Sequence, residues 1–198
     1  AYDNPLELFA GRDPRLAGTI ILPGSSFRGQ AVDILTGYFN AVDGTTITGN
    51  LGEEKDVPGI GKVRVTGFDG PRESVEYGAH SGFYVRKYND PTPGSGEANT
   101  GSDVWFIRFR YAEVLLNAAE AAFEHSTQQD IPKAKGYLNE VRQRAGFTTD
   151  LEDSDITFDR IVHERRVELA YEGHNFWDMK RWRLAHIAWD GTPMAGQV

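Results

Sequence analysis

Glu164, Glu168 and Glu172 stand at i, i+4 and i+8, a spacing that sets three carboxylates in one row along a helix face. Arg165, Arg166, Lys180 and Arg181 lie close by in sequence. Paired carboxylates are the chemistry of glycoside hydrolysis, which needs two acids facing each other across a cleft about 5–10 Å wide. It also needs one acid with a raised pKa, whereas neighbouring cations lower it. A row on one helix among arginines therefore reads as an ion-pair lattice. Such a lattice would lock this helix to the one after it and, through Arg110 or Glu113, to the first helix of the C-terminal half.

Other catalytic patterns fail on their spacing. His163-Glu164 begins a zinc motif, but H-E-x-x-H requires histidine where Val167 stands. The remaining histidines (80, 125, 174 and 186) show no ligand spacing, and with no cysteine there is neither thiolate chemistry nor a disulfide. GIGKVR at 59–64 lacks the third glycine of a dinucleotide fingerprint, and no phosphate-binding P-loop is present. Ser81 in HSG and Ser95 in GSG lie outside any G-x-S-x-G strand–turn–helix context. The sequence thus calls for no metal, no cofactor and no catalytic residue. A net charge of −8 argues against nucleic acid, which needs Lys and Arg in excess. RDPRL at 12–16 reads as structure: Asp13 caps a turn, Pro14 fixes φ, and Arg12 and Arg15 pin the loop to helix carboxylates.

The net charge of −8 also suits neutral ligands such as sugars, as it does many unrelated proteins, and aromatics are where a sugar reader would be sought. A pyranose stacks its C–H face on an exposed ring while Asn, Asp and Arg take its hydroxyls. Tyr38 and Phe39, with Asn40, are expected on a loop; Phe83, Tyr84 and Tyr88 alternate on an expected strand beside Arg86 and Asn89. Tyr38, Phe39, Tyr84, Arg86, Tyr88 and Asn89 are the candidate ligand-binding residues, against the competing role of aromatic rings as core. Trp105, Trp177 and Trp182 are assigned to the core, and Trp189 stays open.

The elements that position these groups change near residue 104. Residues 1–104 hold 17 of the 22 glycines and 7 of the 9 prolines, and all four tryptophans lie beyond them. Loops and short strands are expected there, with KVRVTGF (62–68) and SGFYVRKY (81–88) as strands that could pair. The stretch 89–103 reads as a flexible surface loop. Beyond 104 the periodicity is helical: one helix over about 109–125 and a second carrying Ile131, Ala134, Leu138, Val141 and Ala145. Asp130 is expected to cap the second helix, Pro132 to sit in its first turn and Gly146 to stop it. A third should run from a cap at Thr157 to Gly173, and a fourth over about 175–187. Ala118, Ala119 and Ala122 let the first two approach closely, as in the αα-hairpin of helical repeats. No stretch has the roughly 18–20 apolar residues of a membrane span, and residues 1–14 do not have the pattern of a signal peptide.

Four segments, RDPRL (12–16), RYAEVLLNAAEA (110–121), LNEVRQRAG (138–146) and ERRVELAYEGHNFWDMKRW (164–182), resemble the SusD/RagB family in order and spacing. The match is to the C-terminal half of such a protein. The resemblance implies a mainly α fold, with a tetratricopeptide-like helical hairpin, further helices and an irregular region carrying short β-strands. It divides the chain into a loop-rich, ligand-facing region (1–104) and a helical region (105–198), together one incomplete domain. The family's N-terminal helical pairs, acylated cysteine and Pro-rich C-terminal strand are missing, and Asn175 stands where many relatives carry arginine. The family implies non-catalytic capture of an oligosaccharide or other nutrient, peptides included, at the Bacteroidetes outer surface. It also implies a SusC-like TonB-dependent transporter as partner and a lipid anchor outside this chain as the membrane attachment. Its sugar contacts lie outside the shared motifs, so no ligand residue is carried over. The alternatives are a helical protein-interaction module and, behind it, a glycoside hydrolase fragment.

Overall fold

The computed structural model describes residues 5–70, 83–96 and 100–189. His80, Ser81 and the start of the 81–88 run lie outside the described residues, as do positions 97–99 of the 89–103 stretch. The chain divides into two compact units, Ala1–Trp105 and Phe106–Val198.

The first unit is built from short two-stranded antiparallel ladders. After a 3-10 turn (Pro5–Phe9) and helix α1 (Arg15–Thr19) come β1 (Ile20–Ile21), β2 (Ser26–Phe27) and β3 (Gln30–Ala31). Then follow β4 (Tyr38–Asn40), β5 (Thr45–Ile47), β6 (Glu54–Val57), β7 (Gly61–Arg64) and β8 (Tyr84–Val85). Three ladders are local hairpins, β2–β3, β4–β5 and β6–β7, and among the described residues only β1–β8 joins distant segments. The expected pairing of 62–68 with 81–88 is therefore corrected. β7 meets β6 across a three-residue turn, whose closure costs little chain entropy, and β8 returns to β1 with Ile21 opposite Tyr84. Ile21, Leu22, Ile34, Val57 and Val65 form the small buried set.

In the second unit α2 (Tyr111–Glu124) and α3 (Ile131–Arg144) pack as an antiparallel hairpin, followed by α4 (Phe158–Glu168), α5 (Asn175–Arg181) and α6 (Ala185–Ala188). This helix-rich architecture with a few short strands is the mainly α class read from the sequence. Leu115, Leu116, Ala119, Leu138 and Ile161 anchor a ten-residue apolar cluster, with Ala119 and Ala134 fully buried where the hairpin closes. Asp130 accepts the Lys133 amide at 3.0 Å and Thr157 accepts that of Arg160 at 3.1 Å, as the capping pattern predicts. At the far end of α3, Gly146 N–H donates to Gln143 and Phe147 N–H to Arg142, a Schellman stop. Buried Asn139 clamps the following loop, accepting the Leu151 amide at 2.8 Å and donating to its carbonyl at 3.2 Å.

Two helix ends depart from expectation. α4 stops at Glu168, where the Arg110 guanidinium takes the Glu168 carbonyl at 2.7 Å, satisfying an acceptor that a helix terminus leaves open. The helix expected over 175–187 is broken in two at Arg183, whose φ of 58° no helix can carry.

Candidate functional site

A cleft of about 230 Å³ opens in the first unit. Ile21, Val32 and Val85 give it an aliphatic surface, and Phe27 and Tyr84 supply ring faces. Arg28, Asp69 and Asn89 are its polar groups. Each is set by local backbone chemistry. Arg28 and Gly29, with φ of 52° and 78°, form the two-residue turn of the β2–β3 hairpin, and positive φ at both positions is the type I′ geometry that suits strand twist. Arg28 Nε donates to the Asp90 carbonyl at 2.9 Å, and its guanidinium lies 5.5 Å from the Phe27 ring centre. Asp69 is fixed by reciprocal bonds with Asp33, its carboxylate taking the Asp33 amide at 2.8 Å and its own amide reaching the Asp33 carbonyl at 2.8 Å. Gly67 is required there, because a Cβ would come within 2.3 Å of the Asp33 carbonyl oxygen.

Of the six candidate residues, Tyr84 and Asn89 share this cleft. The Tyr84 hydroxyl donates to the Asp69 carbonyl at 2.9 Å, so the residue offers its ring rather than its oxygen. Asn89 donates to the Val85 carbonyl at 2.6 Å, leaving its side-chain oxygen without a protein partner among the described residues. Arg86 is exposed and reaches back to the Ala17 carbonyl at 3.1 Å. Tyr88 is off the strand at φ 64°, because the Asn89 bonds turn the chain after β8, so the alternation of Phe83, Tyr84 and Tyr88 breaks at its third member. Tyr38 and Phe39 line no part of the cleft. They were expected on a loop and instead form β4, since Asn40 and Asp43 accept the Val42 and Thr45 amides and close a tight turn to β5. Phe39 is 70% exposed there.

The glutamate row sits in the second unit, and its side chains are buried. Arg110 makes a fork to Glu172, at 2.7 and 2.8 Å, and donates to Glu168 at 2.7 Å. Arg144 reaches Glu168 at 2.5 Å and Arg142 reaches Glu164 at 2.7 Å. Arg110, at the start of α2, is a partner the sequence reading named, whereas Arg142 and Arg144 of α3 and Arg160, 3.7 Å from Glu164 within α4, were missed. Arg165 points to the other side of α4, donating to Asp178 at 2.6 Å and Asn117 at 2.6 Å and lying 3.9 Å from Glu113. Arg181 binds Asp178 at 2.8 Å and both oxygens of Glu120, while Arg166 and Lys180 are exposed.

Electrostatics follow the geometry. Burial alone would disfavour charge on Arg110, yet its bonds to Glu172 and Glu168 raise its pKa above the ordinary value. Burial likewise pushes Glu120 up, and bonds from Arg181 and Trp182 override it and hold Glu120 below the usual carboxylate range. Arg110 and Glu120 are thus held in their charged forms, and for a carboxylate that is the opposite of a general acid.

A model of the SusD family matches residues 1–197. The chain belongs to the SusD family. Among curated relatives, a SusD-like protein P2 of Formosa agariphila is 35% identical over 112 residues, 52% of this chain and 22% of that protein. A SusD-like protein of Bacteroides ovatus is 37% identical over 73 residues, 37% of this chain and 13% of that protein. The crystal structure of a SusD-like protein from Bacteroides fragilis superposes with a TM-score of 0.58 at 30% identity, covering 90% of this chain and 29% of that one. The chain thus spans less than a third of the length of these SusD-like relatives. Among the described residues, no helix is long and apolar enough to cross a membrane.

Two further expectations change within this SusD-family frame. Trp105 and Trp177, assigned to the core, are 86% and 66% exposed. Asp178 and Met179 take the buried positions of α5, which turns its Trp177 outward. Trp182 is half-buried, edge-on to Phe158 and donating to Glu120 at 2.6 Å. Arg28 and Asp69 were missed as site residues. The only sequence signal for Arg28 is the Arg-Gly pair between two short β-prone runs.

Proposed function

We propose that this chain is part of a non-catalytic nutrient-capture protein of the bacterial outer surface, with an oligosaccharide as its ligand. In this reading residues 1–104 face the ligand and residues 105–198 hold the frame, the two making one incomplete domain of a longer protein. The observation that carries it is the contrast in polar chemistry within the SusD-family frame. Glu164 and Glu168 of α4 are engaged in buried ion pairs, whereas the loop-rich unit offers ring faces beside polar groups with unused hydrogen-bonding capacity. Tyr84 and Asn89 contribute from the cleft, and Phe39, with Tyr38 behind it on the same hairpin, is a second aromatic contact. Arg86 and Tyr88 flank the β8 end. A SusC-like TonB-dependent transporter receives the ligand, and a lipid anchor outside this chain holds the protein to the membrane.

Calorimetric titration of the full-length protein against a glycan panel tests this. Binding of at least one oligosaccharide without release of reducing ends is expected. Hydrolysis lost on mutating a single acid of this chain, or binding of peptides alone, would overturn it. A second reading, a docking module for another protein, draws on a groove of about 310 Å³ along α2 and α3, lined by Tyr111, Leu115, Val141 and the arginines 110 and 144.

A further inference from the structure

We infer that the cleft at β2, β3 and β8 is a subsite for a single neutral sugar ring, and that Arg28 sets its specificity. The inference rests on the capture reading above and adds a ligand class and a residue to it.

Three features select the class. First, among the described residues the cleft is lined by one cation, Arg28, and one anion, Asp69, so an added charge of either sign meets a like charge. Among the described residues Arg28 has no carboxylate partner, unlike Arg15, which binds Asp13, and Arg64, which binds Asp33. Second, the remaining hydrogen-bonding capacity is of both kinds. The Arg28 terminal nitrogens donate; the second Asp69 carboxylate oxygen and the Asn89 side-chain oxygen accept. A hydroxyl is donor and acceptor at once, so a polyol uses both. Third, Phe27 and Tyr84 supply ring faces, and the Tyr84 hydroxyl is already bonded. The volume of about 230 Å³ falls below the roughly 300 Å³ at which drug-sized pockets begin, matching one ring or a chain end.

Arg28 is singled out by its backbone. A type I′ turn favours Asn, Asp or Gly at this position, and a long side chain at φ 52° is disfavoured. The residue is therefore poor for the turn and suited to the cleft. Its guanidinium is also held in advance, by the Asp90 carbonyl on one side and the Phe27 ring on another, which reduces the ordering cost of binding.

The turn preference supplies a clean test. Arg28→Asn removes the guanidinium and improves the turn, and Arg28→Gly does the same by a different route. In the full-length protein we expect binding of neutral hexose or pentose oligosaccharides, weakened about tenfold or more in both variants with an unchanged or higher melting temperature. Affinity untouched by both substitutions places the site elsewhere and overturns this inference while leaving capture intact. Binding confined to uronic-acid or sulfated oligosaccharides overturns the neutral class alone. No binding to any glycan in the wild-type protein overturns both readings together.

Discussion

The arginines of the two units stand in different circumstances. Between residues 106 and 189, Arg110, Arg142, Arg165 and Arg181 each reach a carboxylate, and Glu164, Glu168 and Asp178 are almost wholly removed from solvent. In the first unit Arg15 and Arg64 are paired in the same way, but Arg28 lies in a cleft against a ring and has no carboxylate partner among the described residues. Buried charge needs compensation inside the fold, so a fully paired arginine is committed to holding helices together. An arginine at an open cleft keeps its donors for something else. The same contrast runs through the packing. Ten apolar residues make one cluster under the helices, while the first unit closes its short ladders with single side-chain bonds such as Thr66 to the Gly49 carbonyl at 2.6 Å.

The strongest way to break this comparison is Glu168→Ala. Glu168 takes Arg110 at 2.7 Å and Arg144 at 2.5 Å, and its removal leaves the Arg110 guanidinium short of a partner at the end of α4. The expected loss is about 1.5–3 kcal/mol, below the range for a fully buried pair, because Arg110 keeps its fork to Glu172 and Arg144 is largely exposed. Denaturant unfolding measures it, and a midpoint equal to wild type would show that the lattice does not hold the helices.

A smaller effect should appear on acidification. The Glu120 pKa in the folded protein lies below its ordinary value, because its bonds to Arg181 and Trp182 outweigh its burial. A depressed carboxylate stabilises the fold fully above its unfolded pKa, about 4.3, and that contribution fades as pH falls from there through the folded value. Melting temperature should therefore drop more steeply with acid below about pH 4.3 in wild type than in Glu120→Gln. Parallel curves would mean that Glu120 is not held charged by the lattice.

How much of this could be read from residues alone differs between the units for a physical reason. Helical periodicity repeats over three or four turns, so α2 and α3, the caps at Asp130 and Thr157 and the Gly146 stop were all legible. The glutamate row was legible as a lattice, but Arg142 and Arg144 were not, because their approach to Glu164 and Glu168 depends on how α3 lies against α4. Strands of two to four residues carry too little alternation to name a partner, hence the wrong pairing of 62–68 with 81–88. Tyr84 and Asn89 were found by residue type. Arg28 and Asp69 enter the cleft only because β1 pairs with β8 and because Asp69 ties back to Asp33, contacts across dozens of residues.

Arg183 sharpens the comparison at its finest grain, because it shares its backbone conformation with Arg28 but not its setting. At the end of α5 its N–H donates to Lys180 and that of Leu184 to Met179, the same Schellman stop that Gly146 makes for α3. The φ of 58° costs an ordinary residue roughly 1–2 kcal/mol, and no glycine is there to relieve it. Arg183 is exposed and has no carboxylate partner among the described residues. Arg183→Gly should remove the conformational cost, partly offset by the greater freedom of glycine in the unfolded chain, for a net gain of about 0.5–1 kcal/mol. Glycan affinity of the full-length protein should not move. At Arg28 the same kind of exchange is expected to leave stability level or higher and to lose affinity. Thermal melts and titrations on the two variants side by side decide the matter. If both exchanges gain stability and neither weakens binding, a left-handed arginine is only a conformational cost in either unit, and the cleft loses its claim.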